Sequence, residues 1–192
     1  MRYAKGHKDE TRRHILDVAS AQFRESGIAA VGLAGIMSEA GLTNGAFYSH
    51  FSSKEDLVRE VLTDVLTRRE ERHKANLESG VALQTTIRDY LSTRHRDRAG
   101  TGCPTAALVA EIARHPKPTR DAFTAKMSDI ITLMAEQIPQ GSAQERRRKA
   151  TTIYATMVGA LQLSRAVNDR QMSDEILANA ADAALALAGG QR

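Results

Sequence analysis

The chain has 192 residues, enough for one sizeable core or for a small module joined to a larger one. Hydrophobic residues make up 42% and charged residues 26%, with four prolines and a net charge of +4; this excludes a disordered or fibrous chain and gives a mild hint of a polyanionic partner. No apolar run approaches the roughly 20 residues that cross a bilayer, the N-terminus lacks an apolar secretory segment, and the single cysteine, Cys103, excludes an internal disulfide framework or a cysteine-cluster zinc site, so the expected compartment is the cytoplasm.

Apolar residues recur at intervals of three and four nearly throughout, which predicts an all-α protein of about nine helices. The first carries the stripe Ile15, Val18, Ala19, Phe23 and stops at Gly27; a second, over about 32–40, carries Leu33, Ile36 and Met37 and ends at Gly41. A short third runs over about 44–50, with the Thr43 hydroxyl expected as its N-cap. A fourth starts at "SKED", where Ser53 caps and Asp56 reaches back, and continues to about residue 78. The pattern then predicts a helix over 81–97, one opening at Pro104, one over 119–137, a long one over 143–168 and a last one over 174–188.

Charge is not concentrated in the first third: residues 1–60 hold eight Lys/Arg and eight Asp/Glu. The excess lies in Arg94, Arg96 and Arg98 and in the run Arg146, Arg147, Arg148, Lys149, both expected as solvated helix surface. No HExxH, glycine-rich phosphate loop or nucleophile elbow occurs. His73, His95 and His115 each lie near Arg or Lys in an exposed-looking setting, so no enzyme and no cofactor are expected.

The stretch "GLTNGAFYSHFSSKEDL" places three of the eight Phe and Tyr residues within five positions. Two short helices with Gly41 between them describe a helix-turn-helix, in which a glycine permits the positive φ of a tight turn. Phe47 and Phe51, four apart, belong under the third helix against Ile15, Leu33 and Ile36. Tyr48 lies one position round, either as a half-buried core ring or with its hydroxyl reaching outward, beside the short side chains of Asn44, Ala46 and Ser49 and the gap left by Gly45. Such a face suits a groove floor, and the free N–H groups of a helix N-terminus grip phosphate without cationic side chains. His50 reads equally as a phosphate contact or as helix-end packing.

Residues 15–57, and above all "AGLTNGAFYSHFSSKEDL", resemble the DNA-binding domain of the tetracycline-repressor (TetR) family of bacterial transcriptional regulators. The resemblance implies a DNA-binding domain over 1–52 and a helical ligand-binding and dimerisation domain over 53–192. It also implies a homodimer that binds a palindromic operator in double-stranded DNA and releases it on binding a small molecule. Thr43, Asn44, Gly45, Tyr48, Ser49 and His50 fall on the recognition helix or its end, and Lys54 falls where the family touches phosphate. Where the family opens its second helix with hydroxyl residues this chain has Val31 and Gly32, then Ala34; the expected compensation is an N-terminal arm of Arg2, Lys5 and Lys8 with Arg12 or Arg13. Dimerisation is expected through 143–168 and 174–188, whose stripe Ile153, Met157, Ala160, Leu161 and Ser164 reads as an interface as well as a core; the alternative is that both stripes are consumed within the protomer. Ala155 and Gly159 there allow close approach. Tyr90, Cys103, Met127, Met134 and Met157 are the candidate ligand residues. The alternative is a regulator of the same fold that answers to a protein partner or to Cys103, whose place before Pro104 at a helix start favours a reactive thiolate.

Overall fold

The computed structural model describes residues 5–189, without the side chains of residues 5 and 6. Among them there are ten helices and no strand: α1 Lys5–Ser26, α2 Leu33–Glu39, α3 Asn44–Phe47, α4 Lys54–Glu78, α5 Leu83–Tyr90, α6 Thr93–Arg96, α7 Pro104–Ile112, α8 Lys117–Glu136, α9 Ala143–Ala166 and α10 Arg170–Leu187.

Local chemistry sets most of these limits. Gly27 and Gly41 take φ of 83° and 68°, where an L side chain is strained, and so end α1 and the α2 region. At α4 the Asp56 N–H donates to Ser53 Oγ at 3.1 Å, while the Asp56 carboxylate accepts from the Ser52 N–H and hydroxyl at 3.0 and 2.9 Å. Those bonds, the Ser52 N–H first among them, hold the Asp56 carboxyl below its ordinary pKa. A cap of this kind contributes about 1 kcal/mol. Ser142 and Glu145 form a reciprocal capping box at α9.

Three boundaries differ from the sequence reading. The single helix expected over 81–97 is two, because Ser92 takes an extended conformation, donates its hydroxyl to the Asp89 carbonyl at 2.7 Å and accepts the His95 N–H at 3.2 Å, starting a new helix. The third helix is regular only to Phe47 and continues as a turn through His50. The last helix begins at Arg170, not 174, because the Asp169 side chain accepts the Met172 N–H at 2.9 Å. An aspartate in a polar stretch reads as loop until its carboxylate is seen capping.

Two cores result. In the first, Ile15, Ala19 and Phe23 of α1 meet Ile36, Met37, Phe47, Phe51, Leu57 and Val58, with Leu108 and Ile112 of α7. In the second, Leu66, Leu83, Ile87, Ile130, Met134, Ile153, Met157, Leu161 and Leu177 pack together. Helix α4 runs through both, and Val65 packs against each of them. Burying side chains of this size contributes about 1.5–3 kcal/mol apiece. Glu111 of α7 adds a polar tie, accepting the Ile28 and Ala29 N–H groups at 3.0 and 2.8 Å.

Candidate nucleic-acid interface

The turn between α2 and α3 is closed by backbone bonds: the Gly41 N–H donates to the Ser38 carbonyl at 3.0 Å and the Leu42 N–H to the Met37 carbonyl at 2.8 Å. With the turn fixed, the aromatic pair anchors α3 from beneath. Phe47 and Phe51 are 1% and 2% exposed, with ring centroids 5.6 Å apart. Tyr48 is 70% exposed, its ring edge-on to Phe47 at 5.3 Å. Thr43, Asn44, Gly45 and Ser49 are exposed on the same short stretch, and a Cβ built on Gly45 meets nothing within 4 Å. The structure thus brings these five residues together on one outward face.

The other predicted contacts lie around that face. Lys8 is exposed on α1. His50 is half-buried, with Nδ1 buried and unpaired; burial first, then the charges of Lys8 and Arg12, push its pKa down. Ser49 donates its hydroxyl to the Ala46 carbonyl at 2.7 Å, leaving its lone pairs outward. Lys54 turns back, its Nζ donating to the Ile28 carbonyl at 2.6 Å. Thr43 is the N-cap residue of α3 but makes no side-chain capping bond, contrary to expectation; its hydroxyl stands at the exposed surface instead. Gly32 caps α2 without any side chain, so the hydroxyl absent from the sequence is absent from the site.

Of the expected arm, Arg2 and the Lys5 side chain lie outside the described residues. Arg12 and Arg13 are committed within the fold: Arg12 pairs with Glu60 and lies 4.9 Å over the Phe51 ring, and Arg13 pairs with Asp64. They lock α1 to α4.

A second feature lies apart from these residues. A groove of about 900 Å³ opens between α1, α4, α5 and α6, lined in part by Arg24, Arg69, Tyr90, Arg94, His95 and Arg98. Tyr90 lines it, and Cys103, fully buried, lies beside Tyr90 and Arg69. Met134 and Met157 are each 1% exposed in the second core, and Met127 packs against that core; none of the three lines the groove. Burial alone would raise the Cys103 thiol's pKa, yet the Arg69 charge, the Tyr90 hydroxyl and the Ala106 and Thr105 amides lower it overall. The His95 Nδ1 is 2.7 Å from the Tyr90 carbonyl and its Nε2 accepts the Cys103 N–H at 3.1 Å, which fixes a neutral ring carrying its proton on Nδ1.

The histidines are less exposed than their charged sequence neighbours imply. His73 is 5% exposed, His95 is half-buried, and His115 Nδ1 lies 2.9 Å from Glu55. Nor is the first basic run solvated throughout. Arg96, 6% exposed, donates to Asp174 at 2.5 Å and Ser173 at 2.8 Å, tying α6 to α10. In the second run Arg147 and Arg148 are exposed as expected, while Arg146 and Lys149 are half-buried. The groove arginines of α4 were missed because they sit among acids in "TRREERHK"; Arg69, Arg72 and His73, spaced three and four apart, share a face, and that spacing was the legible signal.

The expected dimer stripe is also revised. Ile153, Met157, Ala160, Leu161 and Ser164 are 0–7% exposed and belong to the protomer's own core. The outward side of α9 carries Ala155, Gly159 and Leu163, the last 59% exposed, and a Cβ on Gly159 would meet nothing within 4 Å. A stripe read by period alone does not say which side faces the core.

Comparison with known proteins gives two family matches: residues 15–61 match the model of bacterial regulatory proteins of the tetR family, and residues 81–180 match a tetracyclin repressor-like C-terminal domain. The chain is 45% identical over 60 residues to the HTH-type transcriptional regulator AcrR of Shigella flexneri, covering 31% of this chain and 28% of AcrR. It is 31% identical over 88 residues to the HTH-type transcriptional repressor KstR2 of Rhodococcus jostii, covering 46% and 43% of the two chains. The matched segments thus span less than half the length of these relatives. Among solved structures, reduced NemR of E. coli superposes with a TM-score of 0.76 at 24% identity, over 91% of this chain and 95% of that one.

Proposed function

The chain belongs to the tetR family of bacterial regulatory proteins, and from that premise we propose that it binds a two-fold symmetric operator as a homodimer, represses transcription there and is released by a small-molecule ligand. As a family member it is a helix-turn-helix, DNA-binding transcriptional regulator rather than an enzyme. The operator, the dimer and the release are the proposal, as is the division into a reader over 1–52 and a responder over 53–192. No described helix is long and apolar enough to cross a membrane, and the reading is of a cytoplasmic protein.

The observation that carries the reading is the two-sided character of residues 43–51. The backbone from Thr43 to Ser49 is fixed from below by Phe47 and Phe51, and presents Tyr48 with Thr43, Asn44, Gly45 and Ser49 to solvent. Short side chains let the backbone approach a major-groove floor, and the tyrosine hydroxyl donates to a phosphate or a base edge. His50 and Lys8 flank that face; Lys54 contributes by releasing the Ile28 carbonyl or by holding the helix start in place. Two copies joined along the outward sides of α9 and α10 set two such faces about 34–36 Å apart, one turn of DNA. Selection of bound duplexes from a random pool tests this. A palindrome with half-sites one turn apart is the expected product; recovery of sequences without symmetry would reject the dimeric reading.

A second reading, control through Cys103, is favoured by one arrangement: a thiol at the N-cap of α7 beside the Arg69 guanidinium and the Tyr90 hydroxyl. The thiolate sulfur would add to an electrophilic carbon–carbon double bond, with the proton taken up at the neighbouring carbon. Intact-mass analysis after exposure to N-ethylmaleimide decides: a native-state adduct accompanied by lost duplex binding supports it, and no adduct before unfolding ends it.

A further inference from the structure

The groove between α1, α4, α5 and α6 has an unusual charge balance. Six arginines line it, Arg24, Arg68, Arg69, Arg72, Arg94 and Arg98, against two aspartates, Asp17 and Asp89. Arg68 is satisfied by Asp17 and Asp64, and Arg94 has Asp89 at 3.9 Å. Among the described residues, Arg69, Arg72 and Arg98 form no ion pair with a carboxylate. Arg69 reaches deepest. Its Nε is buried without a hydrogen-bond partner and its guanidinium lies 5.2 Å from the Tyr90 ring centre; burial opposes its charge, but Cys103, Tyr154 and Tyr90 beside it hold its pKa above the ordinary value, with no carboxylate among them.

The same region shows the crowding on its other titratable groups. Arg24, His73 and His95 all have lowered pKa values, in each case by burial first and then by neighbouring arginines. The Tyr90 hydroxyl, on a residue 4% exposed that lines this groove, has only the Cys103 thiol beside it and no nitrogen or oxygen partner.

We propose that this groove is an oxyanion site, in which a carboxylate or phosphate-ester group of an organic ligand receives the Arg69 guanidinium and the Tyr90 hydroxyl, with Arg72 and Arg98 completing the charge. This rests on the ligand-responsive reading above and names the chemical class of its ligand. The location also supplies a route to DNA. Asp17, Ser20 and Arg24, from the first helix of the DNA-reading unit, line the groove, and Arg24 now donates to the Gly100 carbonyl at 2.5 Å. An anion that draws Arg24 away from Gly100 shifts α1 against the α6–α7 loop, so ligand and operator are linked through one side chain.

Benzoate and phenyl phosphate, which share a body and differ in head group, are titrated against the full chain at matched ionic strength, with benzyl alcohol as the neutral control. At saturation at least one anion is expected to raise Tm by roughly 3–5 °C, benzyl alcohol to do nothing, and Arg69→Met to abolish the shift. The head group that acts tells carboxylate from phosphate. Arg98→Met, at the exposed rim, is expected to weaken the response about tenfold, and serves should Arg69→Met fail to fold. An equal response to benzyl alcohol, an unchanged response in either variant, or no response to both anions overturns the site. Duplex affinity measured in parallel separates the two readings: bound duplex without any anion response removes the oxyanion site alone, while an arginine-dependent response without duplex binding leaves the site and removes the regulator.

Discussion

His73 shows how strongly one side chain reports its surroundings. It is 5% exposed, and burial, then the charges of Arg69 and Arg72, push its pKa down to about 4 from 6.5. Because the folded value lies below the unfolded one, the unfolded chain takes up the extra proton between those limits. Stability is therefore complete above pH 6.5 and falls as the pH drops towards 4, by about 2 kcal/mol at pH 5. Urea unfolding at pH 7.5 and pH 5 should show that loss, and His73→Gln should remove most of it. Tyr48 makes the opposite case, a large ring held in water. Tyr48→Phe is expected to leave Tm unchanged and to weaken duplex binding by about tenfold, the worth of one charged or groove hydrogen bond; equal binding by the two proteins, measured by fluorescence anisotropy at several salt concentrations, would count against the interface.

At the scale of the element, two glycines four residues apart have separable roles. Gly41 sits at φ 68° with open space around it, so Gly41→Ala is strained by its backbone alone and is expected to cost about 1–2 kcal/mol of stability in a denaturant titration. Gly45 lies inside α3 with ordinary backbone and equally open space. Gly45→Leu is expected to fold at least as well, since glycine is a poor helix former, and to lose duplex affinity by more than tenfold because the added side chain stands where a groove floor would be. Elements also show where pattern reading falls short. The apolar period across residues 81–97 survives the break between α5 and α6, since Leu83, Ile87, Tyr90 and Leu91 are buried either way. Only the Ser92 cap reveals two helices, the second of which carries Arg96 to Asp174.

For the whole molecule, the proposed dimer rests on the outward side of α9. A glycine with empty space over it, an exposed Leu163 and Ala155 form a strip with nothing covering it in one protomer. Leu163→Glu is expected to leave the protomer folded, shift sedimentation from dimer to monomer at micromolar concentration, and weaken operator binding at least a hundredfold because two half-sites no longer act together. The proposed path from groove to DNA is also a matter of the whole chain, because it needs α1, α4 and the α6–α7 loop at once.

By itself the sequence determined what short-range rules govern. Periodicity gave an all-helical chain, glycine the Gly27 and Gly41 stops, and the four-residue spacing of Phe47 and Phe51 put those rings inside, all of which the structure bears out; the break at Ser92 and the exposure of the Tyr48 ring it left open. The order of "AGLTNGAFYSHFSSKEDL" carried the family as well. What only the tertiary structure decided is which charges and stripes meet across the chain. Arg12 and Arg13 turn inward to α4, Arg96 is buried against α10, and Ile153 and Met157 belong to the core rather than to a partner. Arginines from α1, α4 and α6 converge on one groove. A charged side chain reads the same in sequence whether it faces water or another helix, since its burial depends on partners many residues away whose approach no local spacing encodes.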